Sequence, residues 1–354
     1  MGFAFPIVKI SGSAAECGVQ YGEALKNEII KNIGFYQKML KEYAGVEWAD
    51  AQAMAKRFEA PIAEYCPDAI EEMKGIAEGA GVAYEDILTI NCRSEILFAQ
   101  PDGCSCMGIL PEMSDTAHTY LGQTWDWLRH AREHVAVVEF RQRNKPAAMM
   151  IVEAGMVGGR GLNSHGIGVC LNAMSVGEGE VGVPLHIMFR EILHANNVSN
   201  ALDRVARVQR AGSGTFSIGS GDGFLASVEF TPYDFDVLMP EGEVLAHTNH
   251  YLSPLFKQED TFKYDLTDTF VRLNRIRRQA KLLYKKSLSQ KDMWAIFSDH
   301  ANFPDSVCSH EDPRDEPYRQ LCTVYAIVMD LNAHTIWVSD TNPCHGHRHP
   351  IVLK

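Results

Sequence analysis

No stretch of the chain approaches the ~20 consecutive apolar residues that cross a bilayer, so an integral membrane protein is not expected. Basic residues are in the minority: 33 Lys and Arg stand against 45 Asp and Glu, a formal net charge of −12. That balance argues against nucleic acid and anionic membranes as partners, because both select basic surfaces. The opening Met1-Gly2-Phe3-Ala4-Phe5-Pro6 lacks the positive charge and long apolar segment of a secretory signal. Pro6 stands where N-myristoylation wants Ser or Thr, and the ending Val352-Leu353-Lys354 is no peroxisomal address. Repeats, linkers and low-complexity tracts are missing too. Nine scattered cysteines, an odd number without an export signal, fit reduced thiols better than a disulfide framework. A cytoplasmic globular protein is expected.

What is present is an ordinary globular composition, 46% hydrophobic and 22% charged over 354 residues. Length alone would allow two domains, although one large sandwich also reaches this size. The first hundred residues read as helices over 14–26, 29–43, 50–63, 67–79 and 83–91, the first opened by a Ser13/Glu16 capping box. From Cys104 the pattern changes to short apolar or alternating runs at 106–110, 118–126, 134–141, 147–154 and 167–174. Helices are expected at 184–195 and 199–208, and a second strand block over 214–248. Helices follow at 267–286 and 290–300, then a hairpin over 322–340 turning at Asn332-Ala333. Strands in two blocks with helices between and outside predict two packed sheets covered by helices, a four-layer αββα sandwich of the α+β class.

The change of pattern falls at Gly103-Cys104, in the run Pro101-Asp102-Gly103-Cys104-Ser105-Cys106. A cysteine thiol can attack the carbonyl before it through a five-membered ring, giving a thioester that water hydrolyses. Gly103 places no Cβ in the way and tolerates unusual backbone angles. The freed α-amine has an ordinary pKa of about 7.7–8.0, so it can serve as base for its own thiol. Gly122-Gln123-Thr124-Trp125-Asp126 is expected on the paired strand, which brings Asp126 near the new terminus; the alternative for Asp126 is a strand-end cap. Asn172 and Asn249, each ending an apolar strand, are candidate oxyanion donors, against the commoner reading as Asn turns.

Four ordered motifs then carry a family resemblance. They are Asp102-Gly103-Cys104, Gly122-Gln123-Thr124-Trp125-Asp126, the run Gly161 to Gly168 with Asn172, and His247-Thr248-Asn249-His250. Asn91-Cys92-Arg93-Ser94-Glu95 and Thr323 to Asp330 extend the match. The set resembles the acyl-coenzyme A:6-aminopenicillanic acid acyltransferase family, peptidase C45-type N-terminal-nucleophile hydrolases related to penicillin V acylase and bile-salt hydrolase. The resemblance implies a single αββα domain of that type, cleaved before Cys104 from an inactive precursor into a helical 1–103 and a catalytic 104–354 that stay associated. It implies Cys104 as nucleophile and, through its amine, base; Asp126 as the acid beside that amine; Asn249 as side-chain oxyanion donor; and the main-chain N–H of Asn172 as the second. Arg272 and Arg275 match arginines of a late helix, with a substrate or a structural role open for them and for Trp125. Arg319, next to Gln320, falls near another family arginine, its role also open. Bile-salt hydrolases have an arginine where this chain has Gln123, so their substrate logic is not carried over.

The expected activity is hydrolysis of a linear amide in a small N-acyl amine, with acyl transfer to an amine, an acyl-CoA donor and a homo-oligomer left open. No cofactor is expected. A papain-like Cys-His enzyme is the first alternative, since fourteen histidines are available, but neither the papain nor the caspase signature appears. A binding module with an inert Cys104 is the second. The tail Cys344-His345-Gly346-His347-Arg348-His349 offers metal ligands, yet so compact a set near a terminus reads as a solvated tail, and no functional metal is expected.

Overall fold

The chain's most apolar runs form two sheets. In a computed structural model, residues 2–97, 103–177, 179–240, 242, 244–284, 286–316 and 320–354 are described. Strand β1 (Ile7–Gly12) leads into helices α1 (Ala14–Ala24), α2 (Lys26–Met39), α3 (Trp48–Lys56), α4 (Glu59–Tyr65), α5 (Pro67–Ala80), α6 (Tyr84–Asn91) and α7 (Arg93–Leu97). Strands β2 (Gly103–Ile109), β3 (Tyr120–Leu128), β4 (Val135–Gln142), β5 (Ala148–Glu153), β6 (Arg160–Asn163) and β7 (Ile167–Ala173) follow, then α8 (Leu185–Leu193) and α9 (Val198–Ala206). The rest comprises β8 (Gly214–Ser220), β9 (Phe224–Phe230), β10 (Phe235–Leu238), β11 (Val244–His247), α10 (Phe262–Asp265), α11 (Asp268–Leu283), α12 (Gln290–Phe297), β12 (Leu321–Asp330), β13 (Thr335–Ser339) and β14 (His349–Val352).

One sheet has eight strands, β1-β4-β5-β6-β7-β8-β9-β10, and the other six, β11-β2-β3-β12-β13-β14. Every pairing is antiparallel except β1 with β4. The sheets pack β2 and β3 against β7, with α1, α8 and α9 on the outer face of the first and α11 and α12 on that of the second. Strands covered on both faces lose the apolar/polar alternation, and β2, β3 and β5 are buried at every residue. The expected αββα sandwich is the observed fold. Among the described residues no helix is long and apolar enough to cross a membrane.

The Ser13/Glu16 capping box forms as expected, with Glu16 N–H donating to Ser13 Oγ and Ser13 N–H to Glu16 Oε2. Strands β1, β6 and β14 are additions to the sequence reading. Each is short and becomes a strand because a partner receives it: β1 the remote β4, with Val137 opposite Ile7, β6 its chain neighbours β5 and β7, and β14 the strand β13, with Ile336 opposite Ile351. Helices α1 and α5 touch backbone to backbone: a Cβ on Gly18 would lie 2.2 Å from Glu72 O and one on Gly79 2.2 Å from Val19 O. Residues 2–97 are joined to the sheets by buried ion pairs. Arg93 Nη2 lies 2.7 Å from Glu153 Oε2, Tyr36 donates to Glu153 Oε1 at 2.6 Å, and Arg190 pairs with Glu72.

Glu95, wholly buried, accepts the Leu185 N–H at 2.7 Å. Burial pushes its carboxyl from an ordinary 4.5 up to about 7. The folded state therefore holds this proton more tightly than the unfolded chain does. Its contribution to stability is complete below about pH 4.5 and lost as the pH rises through about 7. Glu95→Gln, neutral throughout, should gain on the wild type between pH 5 and pH 8, by up to about 3 kcal/mol. Thermal melts of the two proteins across that range check it; a constant difference would remove the buried charge from the account.

Candidate active site

Cys104 is the second residue of β2, fully buried, with Trp125 of β3 opposite it and Asp126 opposite Gly103. This register puts the Asp126 side chain beside the bond that precedes Cys104. A Cβ on Gly103 would come 2.9 Å from Asp126 Cβ and 3.0 Å from Oδ2, so only glycine permits the approach. Thr323 of β12 donates its hydroxyl to Asp126 Oδ1 at 2.6 Å and fixes the carboxylate's orientation. Residues 98–102, Asp102 of the cleavage motif included, lie outside the described residues.

Both main-chain polar atoms of Cys104 are held by side chains. Its N–H donates to Asn249 Oδ1 at 2.8 Å, and its carbonyl accepts from Asn172 Nδ2 at 3.0 Å and Arg272 Nη1 at 2.8 Å. Asn172 thus reaches Cys104 with its side-chain amide, from β7 of the facing sheet. Asn249 follows β11 in a staked loop: Thr269 Oγ1 of α11 accepts its N–H at 2.8 Å, and the buried Glu229 carboxylate receives Leu252 N–H, Ser253 N–H and His247 Nε2. The Asn249 Nδ2 donates to Ala173 O at 3.0 Å. A two-residue step along β7 therefore serves both asparagines.

Arg272, one turn into α11, also donates to Asn249 Oδ1 at 3.1 Å and Ser105 Oγ at 3.1 Å, with Asp268 Oδ2 2.6 Å from its Nε. Burial opposes its charge, but Asp268 and Asp126 outweigh that and hold its pKa above the ordinary arginine value. It is a fixed cation between the nucleophile candidate and two carboxylates. A second arginine reaches the sulfur: Arg160 Nη2 of β6 stands 3.5 Å from Cys104 Sγ. Its guanidinium lies 5.3 Å from the Trp125 ring centroid, and its Nη1 is 3.3 Å from Tyr325 OH. Burial pushes that phenol up to about 12, so it stays neutral.

The structure thus brings Cys104, Asp126, Asn172, Asn249 and Arg272 together at one place. Trp125 is buried against Arg160 and Tyr325, behind the site. Arg275, one turn after Arg272, points away to Asp299, with N–O distances of 2.5 and 3.0 Å. Gln320 donates to Asp315 O at 2.8 Å, and Arg319 lies outside the described residues. Gln123 spans the two sheets instead of touching the cysteine, giving its amide to Leu171 O and taking the Leu171 N–H at 3.0 Å. Arg160 is absent from the sequence reading, and Thr323 enters it only as the first residue of a matching run, with no role assigned. The signal for Arg160 is a charge heading an apolar strand just before Gly161; for Thr323 it is a polar residue opening the apolar run of β12.

A cleft of about 640 Å³ opens at Gly103, Asp126, Trp127 and Arg272. Its wall holds six aspartates, Asp126, Asp265, Asp268, Asp305, Asp312 and Asp315. Burial, with Asp268, Asp315 and Asp312 nearby, raises the Asp305 carboxyl above its ordinary value, a measure of how negative this wall is.

Residues 113–344 match the family model described as acyl-coenzyme A:6-aminopenicillanic acid acyl-transferase. The chain belongs to that family. The match takes in Asp126, Arg160, Asn172, Asn249 and Arg272 and begins after Cys104. Among curated relatives, the 40 kDa form of acyl-coenzyme A:6-aminopenicillanic-acid-acyltransferase of Emericella nidulans is 26% identical over 311 residues, 85% of this chain and 84% of the relative. Protein dcd1A of Dictyostelium discoideum is 25% identical over 252 residues, 60% of this chain and 55% of that protein. Among solved structures, a mutant conjugated bile acid hydrolase from Clostridium perfringens aligns at 13% identity and a TM-score of 0.46, over 70% of this chain and 92% of its own. Penicillin V acylase from Agrobacterium tumefaciens aligns at 13% identity and a TM-score of 0.41, over 67% and 83%.

Proposed function

We propose that this acyltransferase-family member is a cysteine amidohydrolase that cuts its own chain between Gly103 and Cys104 and then hydrolyses a small N-acyl amine. The observation that carries the reading is the grip on Cys104. A strand-opening cysteine has its N–H on Asn249 Oδ1, its carbonyl on Asn172 and Arg272, and its sulfur beside Arg160. Side chains from the facing sheet, a loop and a helix fix one residue in place, which is what a nucleophile requires and a packing cysteine does not.

In the first step Sγ adds to the Gly103 carbonyl carbon, the Gly103–Cys104 C–N bond breaks, and the proton passes to the departing amine. Water then hydrolyses the thioester. In turnover the α-amine takes the thiol proton, Sγ adds to the substrate's acyl carbon, and the α-ammonium returns the proton to the leaving amine. Water releases the acyl group as a carboxylic acid. The Arg160 guanidinium favours the thiolate, the reactive form. Asp126 orients the α-ammonium. Asn249 Nδ2 and the Asn172 main-chain N–H receive the oxyanion, and the 1–103 fragment stays bound through Arg93–Glu153 and Arg190–Glu72.

The aspartate-lined cleft supports a substrate whose amine side is cationic, and it repels a polyanion such as coenzyme A. Hydrolysis is therefore preferred to transfer from an acyl-CoA. The test is intact-mass and N-terminal sequencing of the purified protein, followed by a panel of N-acyl amines beside acyl-CoA thioesters. A Cys-Ser-Cys terminus and amine release are expected. A chain that stays whole and leaves every amide intact would support the inert binding module.

A further inference from the structure

Four side chains that no part of this chemistry uses meet at one point beside the cleft, whose wall includes one of them, His310. They are His300, just beyond α12, Cys308 and His310 in the following loop, and Cys344 in the turn before β14, and their ligand atoms all lie within 4.8 Å of one another. His310 Nε2 is 3.5 Å from Cys308 Sγ, 3.1 Å from His300 Nε2 and 3.7 Å from Cys344 Sγ. A single ring nitrogen has one proton or one lone pair in that direction, so it cannot hydrogen-bond all three. A central cation satisfies all four ligands at once. With Zn–S of about 2.3 Å and Zn–N of about 2.0–2.1 Å, the edges of a tetrahedron are about 3.3–3.8 Å; the two contacts of His310 with sulfur, 3.5 and 3.7 Å, fall in that range, and its contact with His300, 3.1 Å, is slightly shorter.

We propose that His300, Cys308, His310 and Cys344 form a closed Cys2His2 zinc site that fastens the loop after α12 to the C-terminal segment. The donor set, two sulfurs and two imidazoles, is one that zinc prefers. Four protein ligands leave no open position, so the site is structural. The surroundings suit it. Cys308 is buried and takes a hydrogen bond from the Cys344 main chain, and the Phe303 ring stands 5.3 Å from that of His310. Zinc binding would release the protons of the two thiols. Of the tail histidines, His345 turns to Thr341 and His349 packs on Phe3, so only Cys344 of the tail motif takes part.

The site bears on the cleft through one short path. Ser309, between two of the ligands, donates its N–H to Thr323 Oγ1 at 3.0 Å and accepts the Thr323 N–H at 3.0 Å, and Thr323 holds Asp126. Loss of zinc should therefore loosen Asp126 as well as the fold. The site stands apart from the amidase reading, because its test reads metal.

Protein purified without chelator is assayed for metals by mass spectrometry. About one zinc per chain is expected, falling below about a tenth in Cys308→Ser and in Cys344→Ser, and unchanged in His345→Ala and His347→Ala. His300→Ala, at the exposed ligand, should keep the fold and weaken retention on dialysis against chelator, in case the cysteine variants do not fold. Cobalt in place of zinc should give the visible absorption of a tetrahedral thiolate site, and chelation should lower the Tm reversibly. Zinc that survives Cys308→Ser, or a protein that neither carries zinc nor shifts its Tm when zinc is added, would overturn the proposal.

Discussion

Cys104→Ala is expected to remain a single uncut chain and to lose amidase activity by about 10⁴-fold or more, since it removes the group that forms both the chain-cutting and the acyl thioester. The substitution deletes one buried sulfur and leaves the hydrogen bonds of Cys104 N–H and carbonyl to Asn249, Asn172 and Arg272 in place. A fold collapse is therefore not the cause of the loss, and a circular dichroism spectrum matching the wild type would show this. Cys104→Ser keeps a nucleophile, but a poorer one, and should process slowly if at all. Intact-mass measurement distinguishes the three proteins directly. An alanine variant that still yields a new terminus, or still releases amine, would move the chemistry to another residue.

Asn249→Ala should lower kcat by about 10²–10³-fold with KM within a few-fold, the pattern of a group that acts in the transition state more than in binding. One amide here performs two tasks. Its oxygen holds Cys104 N–H and Arg272, and its nitrogen, which donates to Ala173 O, is the donor proposed for the acyl oxyanion. Processing should slow as well, so rates are to be normalised to the cut fraction. Arg275→Ala is the control, since that side chain pairs with Asp299 and should leave kcat alone. Unchanged turnover in Asn249→Ala would take this residue out of the site.

The helices before Cys104 and the strands after it were legible because their signals are local. Ser13 and Glu16 form a cap from four adjacent residues, and the buried runs of β3, β5 and β12 are apolar wherever they are placed. Gly103, Cys104, Asp126, Asn172 and Asn249 stood out because their chemistry is tied to short motifs at strand ends. Arg272 was visible as a family arginine but not as the ligand of the Cys104 carbonyl. Nothing in Thr269-Phe270-Val271-Arg272 says which of two arginines one turn apart faces inward.

By itself the sequence determined the layer plan and the family and singled out Cys104 as the candidate nucleophile, because periodicity, caps and motifs are properties of neighbours along the chain. Only the tertiary structure decided which remote groups meet. It set Arg160 against the Cys104 sulfur, closed the Thr323–Asp126 contact, spent Gln123 on joining the sheets, and gathered His300, Cys308, His310 and Cys344 from three segments. Those encounters depend on strand register and sheet stacking, which are settled by how the whole core packs and leave no short-range trace.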